Sequence, residues 1–174
     1  YELQPGELCQ IKLYGKTYPN ATYGIGYVEI VSEDGEDYSF STEEAMTEVW
    51  GEKVVYTECW NKDGGIKLED VNFDGYVDIG LMARIPAYNL PYIYYFFNAE
   101  SGKYEYYDLF PMYFSVDAEE ETCSISHRAG TIYFDEVWGK DNIGGLYLMQ
   151  QTIREYDYAT GEFVETTEYY SLEE

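Results

Sequence analysis

Residues 70 to 78 read Asp70-Val71-Asn72-Phe73-Asp74-Gly75-Tyr76-Val77-Asp78, a D-x-N-x-D-G-x-x-D spacing. Side-chain oxygens at the first, third and fifth positions converge when the backbone coils around one point. Glycine at the sixth permits the sharp turn, the seventh offers a carbonyl and the ninth adds another oxygen. The expected ligands are therefore Asp70, Asn72, Asp74, the Tyr76 carbonyl and Asp78. A set of hard oxygens without His or Cys selects Ca2+ over zinc or copper. A metal-free turn would also favour Asn, Asp and Gly, but acids on one coil then repel, by roughly 1 kcal/mol per close pair near a surface.

Two departures separate this loop from an EF-hand. Its twelfth position is Leu81, where a helix-flanked loop carries a bidentate Glu. The flanks also alternate as strands, with Ile66 and Leu68 before, and Val77, Ile79 and Leu81 after. The loop is thus expected at the tip of a β-hairpin, its missing ligand supplied by water or a distant acid. Glu69 is adjacent and is expected to point away.

The elements around it read as strands. The chain carries 22 Tyr, 8 Phe and 3 Trp in 174 residues, and aromatic residues suit pleated surfaces. Alternating runs flank turn-rich stretches: Tyr27 to Val31 and Tyr38 to Phe40, Tyr92 to Phe97 and Tyr104 to Leu109, Leu146 to Tyr156 and Phe163 to Tyr170. Two turns repeat one pattern: Asn98 or Asp157, Ser101 or Thr160 three residues on, then Gly102 or Gly161. An Asx side chain capping its own turn, followed by Gly at positive φ, explains that recurrence. The run Pro91 to Phe97 has aromatics on both faces and predicts a central strand, with Tyr94 and Phe96 packed in the interior. One short helix is expected from Thr42 to Trp50, with Ser41 as N-cap, Glu44 as its reciprocal partner, Ala45, Val49 and Met46 inward, and Gly51 as stop. With no linker or low-complexity stretch, the expectation is a single all-β domain over 1–174: an antiparallel meander of hairpins, sandwich or propeller-like, with one short helix.

Charge bounds the partners. Ten Lys and Arg against 34 Asp and Glu give a net charge of −24, a field that repels nucleic acid and anionic membrane and attracts calcium or a basic protein. No run of eighteen apolar residues is present, so no transmembrane helix is expected. Beginning at Tyr1, without a charged-then-apolar leader, the chain is expected to be a mature portion, extracellular, periplasmic or cell-surface anchored. Cys9, Cys59 and Cys123 are too widely spaced for a zinc knuckle, and the pair Cys123 and His127 lacks a second pair nearby. These cysteines read as small buried hydrophobes, and Glu119-Glu120-Glu121 as a solvated loop.

The stretch Glu69 to Ile79, followed by Tyr94-Tyr95-Phe96-Phe97-Asn98 and Ser101-Gly102-Lys103-Tyr104, resembles the calcium loop and hairpin of a bacterial periplasmic family. That family is similar to inhibitors of lysozyme-like peptidoglycan hydrolases, including immunity proteins against secreted hydrolase toxins. The loop alone also resembles those of integrin-type propeller repeats and dockerins. The resemblance spans roughly residues 66 to 109 and implies an inhibitory activity without assigning residues to it.

No catalytic residue is expected. A lone His127 and the lack of a G-x-S-x-G motif argue against a nucleophile-plus-base hydrolase. The function expected is that of a calcium-binding protein of the cell envelope or secreted space, of inhibitor or immunity type, acting on a basic partner. The alternatives are a calcium-stabilised module binding cell-wall glycan or mediating adhesion through exposed Tyr and Trp, and a structural surface lipoprotein domain.

Overall fold

The alternating runs form strands throughout the computed structural model, which describes residues 1–4, 6–33, 37–51, 54–62, 65–84, 91–111 and 114–172. By contact the chain divides into two compact units. The first comprises Tyr1–Asp70 with Gly75–Phe110, and the second Val71–Asp74 with Pro111–Glu174.

In the first unit, strands β1 (Glu2–Gln4), β2 (Glu7–Thr17), β3 (Tyr23–Ser32) and β4 (Tyr38–Ser41) make one antiparallel sheet in chain order. Helix α1 (Glu43–Trp50) follows. Strands β5 (Lys67–Glu69), β6 (Asp78–Met82), β7 (Tyr92–Asn98) and β8 (Lys103–Phe110) make a second sheet, also antiparallel and in chain order. This is the expected meander: successive strands pair with their neighbours because short turns join them.

The two sheets share one core, built from Val28 and Ile30 of β3, Ile79 and Leu81 of β6, and Ile93, Tyr95 and Phe97 of β7, with Ala45 and Met46 of α1. Strand β7 is internal to its sheet and buried on both faces, as its two-sided aromatic pattern requires. Its odd-numbered residues enter that core. On the other face Phe96 stacks on Tyr107, with ring centroids 4.1 Å apart, and Tyr94 meets Phe110 at 5.5 Å. Gly80 makes room for Tyr94, whose ring lies 2.7 Å from where a Cβ would stand.

The helix is present one residue shorter than expected, and its start is built differently. Ser41 Oγ accepts from the Glu43 N–H at 3.1 Å, but the N-cap residue is Thr42. Thr42 makes no capping bond, because its hydroxyl faces the Ile25 and Val55 carbonyls at 2.9 and 2.6 Å. Gly51 ends the helix in the left-handed region at φ 65°, its N–H donating to the Thr47 carbonyl, as expected.

The second unit is one five-stranded antiparallel sheet: β9 (Phe114–Asp117), β10 (Thr122–Ala129), β11 (Ile132–Lys140), β12 (Leu146–Asp157) and β13 (Glu162–Tyr169), again in chain order. Period-two burial is clearest on β10, where Cys123 and Ile125 are buried and Ser124 and Ser126 exposed. Strand β13 is an edge strand exposed along its whole length.

Both repeated turns form as expected. Asn98 Oδ1 accepts from the N–H groups of Glu100 and Ser101, and Gly102 sits at φ 65°. Asp157 Oδ1 accepts from the Ala159 N–H, Thr160 Oγ1 donates to Asp157 Oδ2, and Gly161 sits at φ 76°. A third copy joins β9 to β10. Asp117 Oδ1 accepts from Glu119 and Glu120, and Glu121 takes the glycine position at φ 50°. The acidic triplet is thus part of a defined turn. Among the described residues no helix is long and apolar enough to cross a membrane.

Candidate functional site

The nine-residue loop connects β5 to β6, so its flanks are strands and it stands at the end of a hairpin. Leu81, at the twelfth position, is fully buried in the core of the first unit and offers no ligand. By contact the loop is divided: residues 71–74 belong to the second unit, and Asp70 with 75–78 to the first.

Within the first unit, Asp70 Oδ2 accepts from the Gly75 N–H at 2.9 Å. This bond draws the first and sixth loop positions together, and Gly75 adopts φ 90°, a conformation that side chains oppose. Tyr76 is half-buried and packs on Phe97 at 4.9 Å. The next residue is fixed at both backbone groups: the Val77 N–H donates to the Leu3 carbonyl at 2.8 Å, and its carbonyl accepts from Tyr104 Oη at 3.1 Å. Asp78 is fully buried, and its Oδ1 accepts from the Phe97 N–H at 3.3 Å. Burial of a carboxylate is costly unless it is paired or bound to a cation.

Glu69 departs from expectation. It is the register partner of Asp78, and directly opposed residues in an antiparallel pair leave the same face. Its side chain therefore does not point away from that of Asp78. One oxygen, Oε2, is buried with no hydrogen-bond partner. Like charges opposed in this way destabilise a sheet. The signal was present in the sequence as an acid on each side of the loop, at the positions a hairpin must pair.

Within the second unit, residues 71–74 are held by three contacts. Cys123 Sγ donates to the Val71 carbonyl at 3.4 Å, Asn72 Nδ2 donates to the Gly144 carbonyl at 2.9 Å, and Lys140 Nζ donates to the Phe73 carbonyl. Asn72 is only 2% exposed. Its amide nitrogen also donates to Asp74 Oδ2 at 3.0 Å, while its Oδ1 is buried with no hydrogen-bond partner. Phe73 lies at φ 58°, in the left-handed region that a bulky residue rarely enters.

Among the described residues, no group of three or more His, Cys, Asp or Glu stands close enough together to hold a metal ion. The loop's expected donors include an amide and a carbonyl oxygen besides three carboxylates. The orphaned Asn72 oxygen fits a hard cation, which an uncharged acceptor of this kind can ligate.

Two of the three thiols are interior groups as expected: Cys59 and Cys123 are fully buried, and Cys59 Sγ donates to the Tyr23 carbonyl at 3.3 Å, whereas Cys9 is only half-buried against the core of the first unit. Cys123 and His127 lie four residues apart on β10, about 13 Å along a strand. They do not converge. His127 instead stacks on Phe134 at 4.8 Å, with Nε2 3.5 Å from Glu136 Oε1.

No protein-family model, curated protein or solved structure matches the chain.

Proposed function

We propose that this chain is a calcium-binding protein of the cell envelope or secreted space, whose acidic surface meets a basic protein partner. The loop takes one Ca2+ through Asp70, Asn72, Asp74 and Asp78 side chains and the Tyr76 carbonyl. The observation that carries this reading is the Asn72 Oδ1, buried and without a hydrogen-bond partner. Left so, an acceptor of this kind costs about 1–3 kcal/mol, which a cation offsets. The Asp70 to Gly75 bond and the left-handed Phe73 and Gly75 support it, as backbone already bent for a coil around an ion.

The setting follows from affinity. Ligand charge and number tune calcium loops, and with Leu81 in place of a bidentate Glu this one belongs to the weak class, with dissociation constants on the order of 10⁻⁴–10⁻³ M, suited to extracellular calcium. The ion's role is structural. A net charge of −24 accelerates encounter with a cationic protein. The partner the loop's resemblance suggests is a lysozyme-like peptidoglycan hydrolase, held by an inhibitor or immunity-type protein.

Thermal melting in calcium against chelator tests the metal. A site at a hundred times its dissociation constant adds about 2.7 kcal/mol, roughly 5–10 °C at this size, and Asp74→Ala removes the shift. Equal melting temperatures with and without calcium would sink the reading. Inhibition of a lysozyme-class hydrolase at micromolar protein tests the partner.

A second reading, a glycan-binding module, draws on one feature of the second unit. Tyr133, Tyr156 and Phe163 share a face of its sheet, with Tyr133–Phe163 and Tyr156–Phe163 centroids 5.9 and 5.3 Å apart, and Phe163 is 56% exposed. Exposed rings of this kind stack on sugars. Retention on peptidoglycan, lost in Phe163→Ala, would favour it.

A further inference from the structure

The first unit contains an open cleft of about 920 Å3 beside α1 and β8. Its wall is aromatic. Phe40 stacks on Tyr95 with centroids 4.1 Å apart, and Tyr106 meets Tyr95 at 6.1 Å. Its rim is acidic, with Glu44 and Glu48 from α1 and Glu105 from β8, and no Lys or Arg among the described residues lines it.

Glu44 suits the first turn of the helix, but Glu48 does not suit the last, and the two acids repel each other. Glu44 and Glu48 stand at i and i+4, neighbours on one face, where like charges repel. Glu48 also lies in the last turn, where the helix dipole favours cations and where no basic residue is found. Neither acid forms an ion pair among the described residues. The negative field reaches the cleft wall: burial and the neighbouring Asp108 and Glu48 charges push the Tyr106 phenol up to about 12. Aromatic faces and carboxylates both attract cations, and an arginine guanidinium satisfies both, stacking flat on a ring while its fork meets a carboxylate.

We propose that this cleft binds an arginine-bearing segment of a basic polypeptide, with guanidinium groups stacked on Tyr106 and Phe40 and paired with Glu44, Glu48 and Glu105. Its volume lies within the range of sites that enclose a ligand of several side chains. The proposal supplies the surface for the basic partner named above and rests on that half of the reading; it is independent of the calcium loop.

The test is titration of the whole chain with a hexa-arginine peptide, in chelator, at about 0.15 M salt, where diffuse charge is screened beyond about 8 Å. Saturable binding is expected, weaker by at least about tenfold in the double variant Glu44→Gln/Glu48→Gln. The charge-matched control Glu165→Gln/Glu168→Gln, on exposed β13, should change affinity by less than about twofold. Tyr106→Leu should weaken arginine binding several-fold, and hexa-lysine should bind less well than hexa-arginine. Equal losses in the two double variants would reduce the effect to net charge and overturn the site, as would no saturable binding by the wild type. Because the Gln pair loses the favourable first-turn charge of Glu44 but relieves the i, i+4 repulsion and the last-turn charge of Glu48, its melting temperature should change little. Failure here leaves the calcium-dependent melt untouched, so the two readings fail separately.

Discussion

Tyr104 Oη donates to the backbone carbonyl of Val77 at 3.1 Å, tying strand β8 to the exit of the Asp70–Asp78 loop. Tyr104 is 6% exposed, and its ring lies 5.2 Å from Phe97 and 5.9 Å from Phe40. The residue after the loop's seventh position is thereby fixed to the aromatic core of the first unit. Tyr104→Phe keeps the ring and removes the bond to Val77. It should cost about 1 kcal/mol in urea unfolding and weaken calcium binding a few-fold, since the Tyr76 carbonyl precedes the freed residue. Unchanged calcium affinity with the expected stability loss would show that the bond serves the fold alone.

Asn72 offers a sharper test of the metal. Replacing it with Asp removes both amide donors, to Asp74 Oδ2 and to the Gly144 carbonyl, and puts a carboxylate where an amide was 2% exposed. Without calcium, Asn72→Asp should be less stable by about 2–3 kcal/mol, because a buried acid then faces another acid and a carbonyl. Saturating calcium should recover much of that loss, since the added charge is a better ligand. The variant's calcium-induced rise in melting temperature should therefore exceed the wild type's. A smaller rise would argue that the Asn72 side chain does not ligate.

What the sequence revealed and what it hid divide along the range of the interactions. Strands, hairpins and the Asn98 and Asp157 turns depend on residues a few positions apart, and period-two alternation with turn chemistry exposes them. The anchoring of residues 71–74 does not. Cys123, Lys140 and Gly144 reach Val71, Phe73 and Asn72 across 52, 67 and 72 positions, and no spacing rule joins such residues. Glu69 was legible in principle, because register alone pairs it with Asp78. The start of α1 shifts by one residue for a subtler reason: Ser41 Oγ does accept from the Glu43 N–H, but the N-cap position falls to Thr42, whose hydroxyl is taken by the distant Ile25 and Val55 carbonyls. The turn at Asp117 was hidden because Glu121 occupies the position that glycine marks in its two counterparts.

That third turn makes a prediction about strain. Glu121 holds φ 50° where Gly102 and Gly161 hold 65° and 76°. A left-handed non-glycine residue costs roughly 1–2 kcal/mol, partly offset by the lower entropy of the unfolded chain. Glu121→Gly should therefore raise stability by up to about 1 kcal/mol in calorimetry, without altering calcium binding. The reverse change, Gly161→Glu, should lower stability by a similar amount. If Glu121→Gly destabilises, the turn is held by the Glu121 side chain rather than strained by it.

The Asp157 turn predicts a pH dependence with a definite sign. Donation from the Ala159 N–H, then from the Thr160 hydroxyl, holds the Asp157 carboxyl below its ordinary 3.8. A group whose pKa is lower in the folded state contributes stability that is complete above the unfolded value. That contribution is lost as pH falls through the folded one. Acidification also relieves the self-repulsion of a chain carrying −24, so the raw stability curve mixes two opposed trends. Asp157→Asn separates them, because Asn keeps the turn-capping oxygen, as Asn98 does in the matching turn, and cannot titrate. The stability difference between wild type and variant should be constant above about pH 5 and shrink as pH falls below the ordinary Asp range. A difference that stays flat down to about pH 2.5 would mean that the Asp157 charge contributes nothing to the turn.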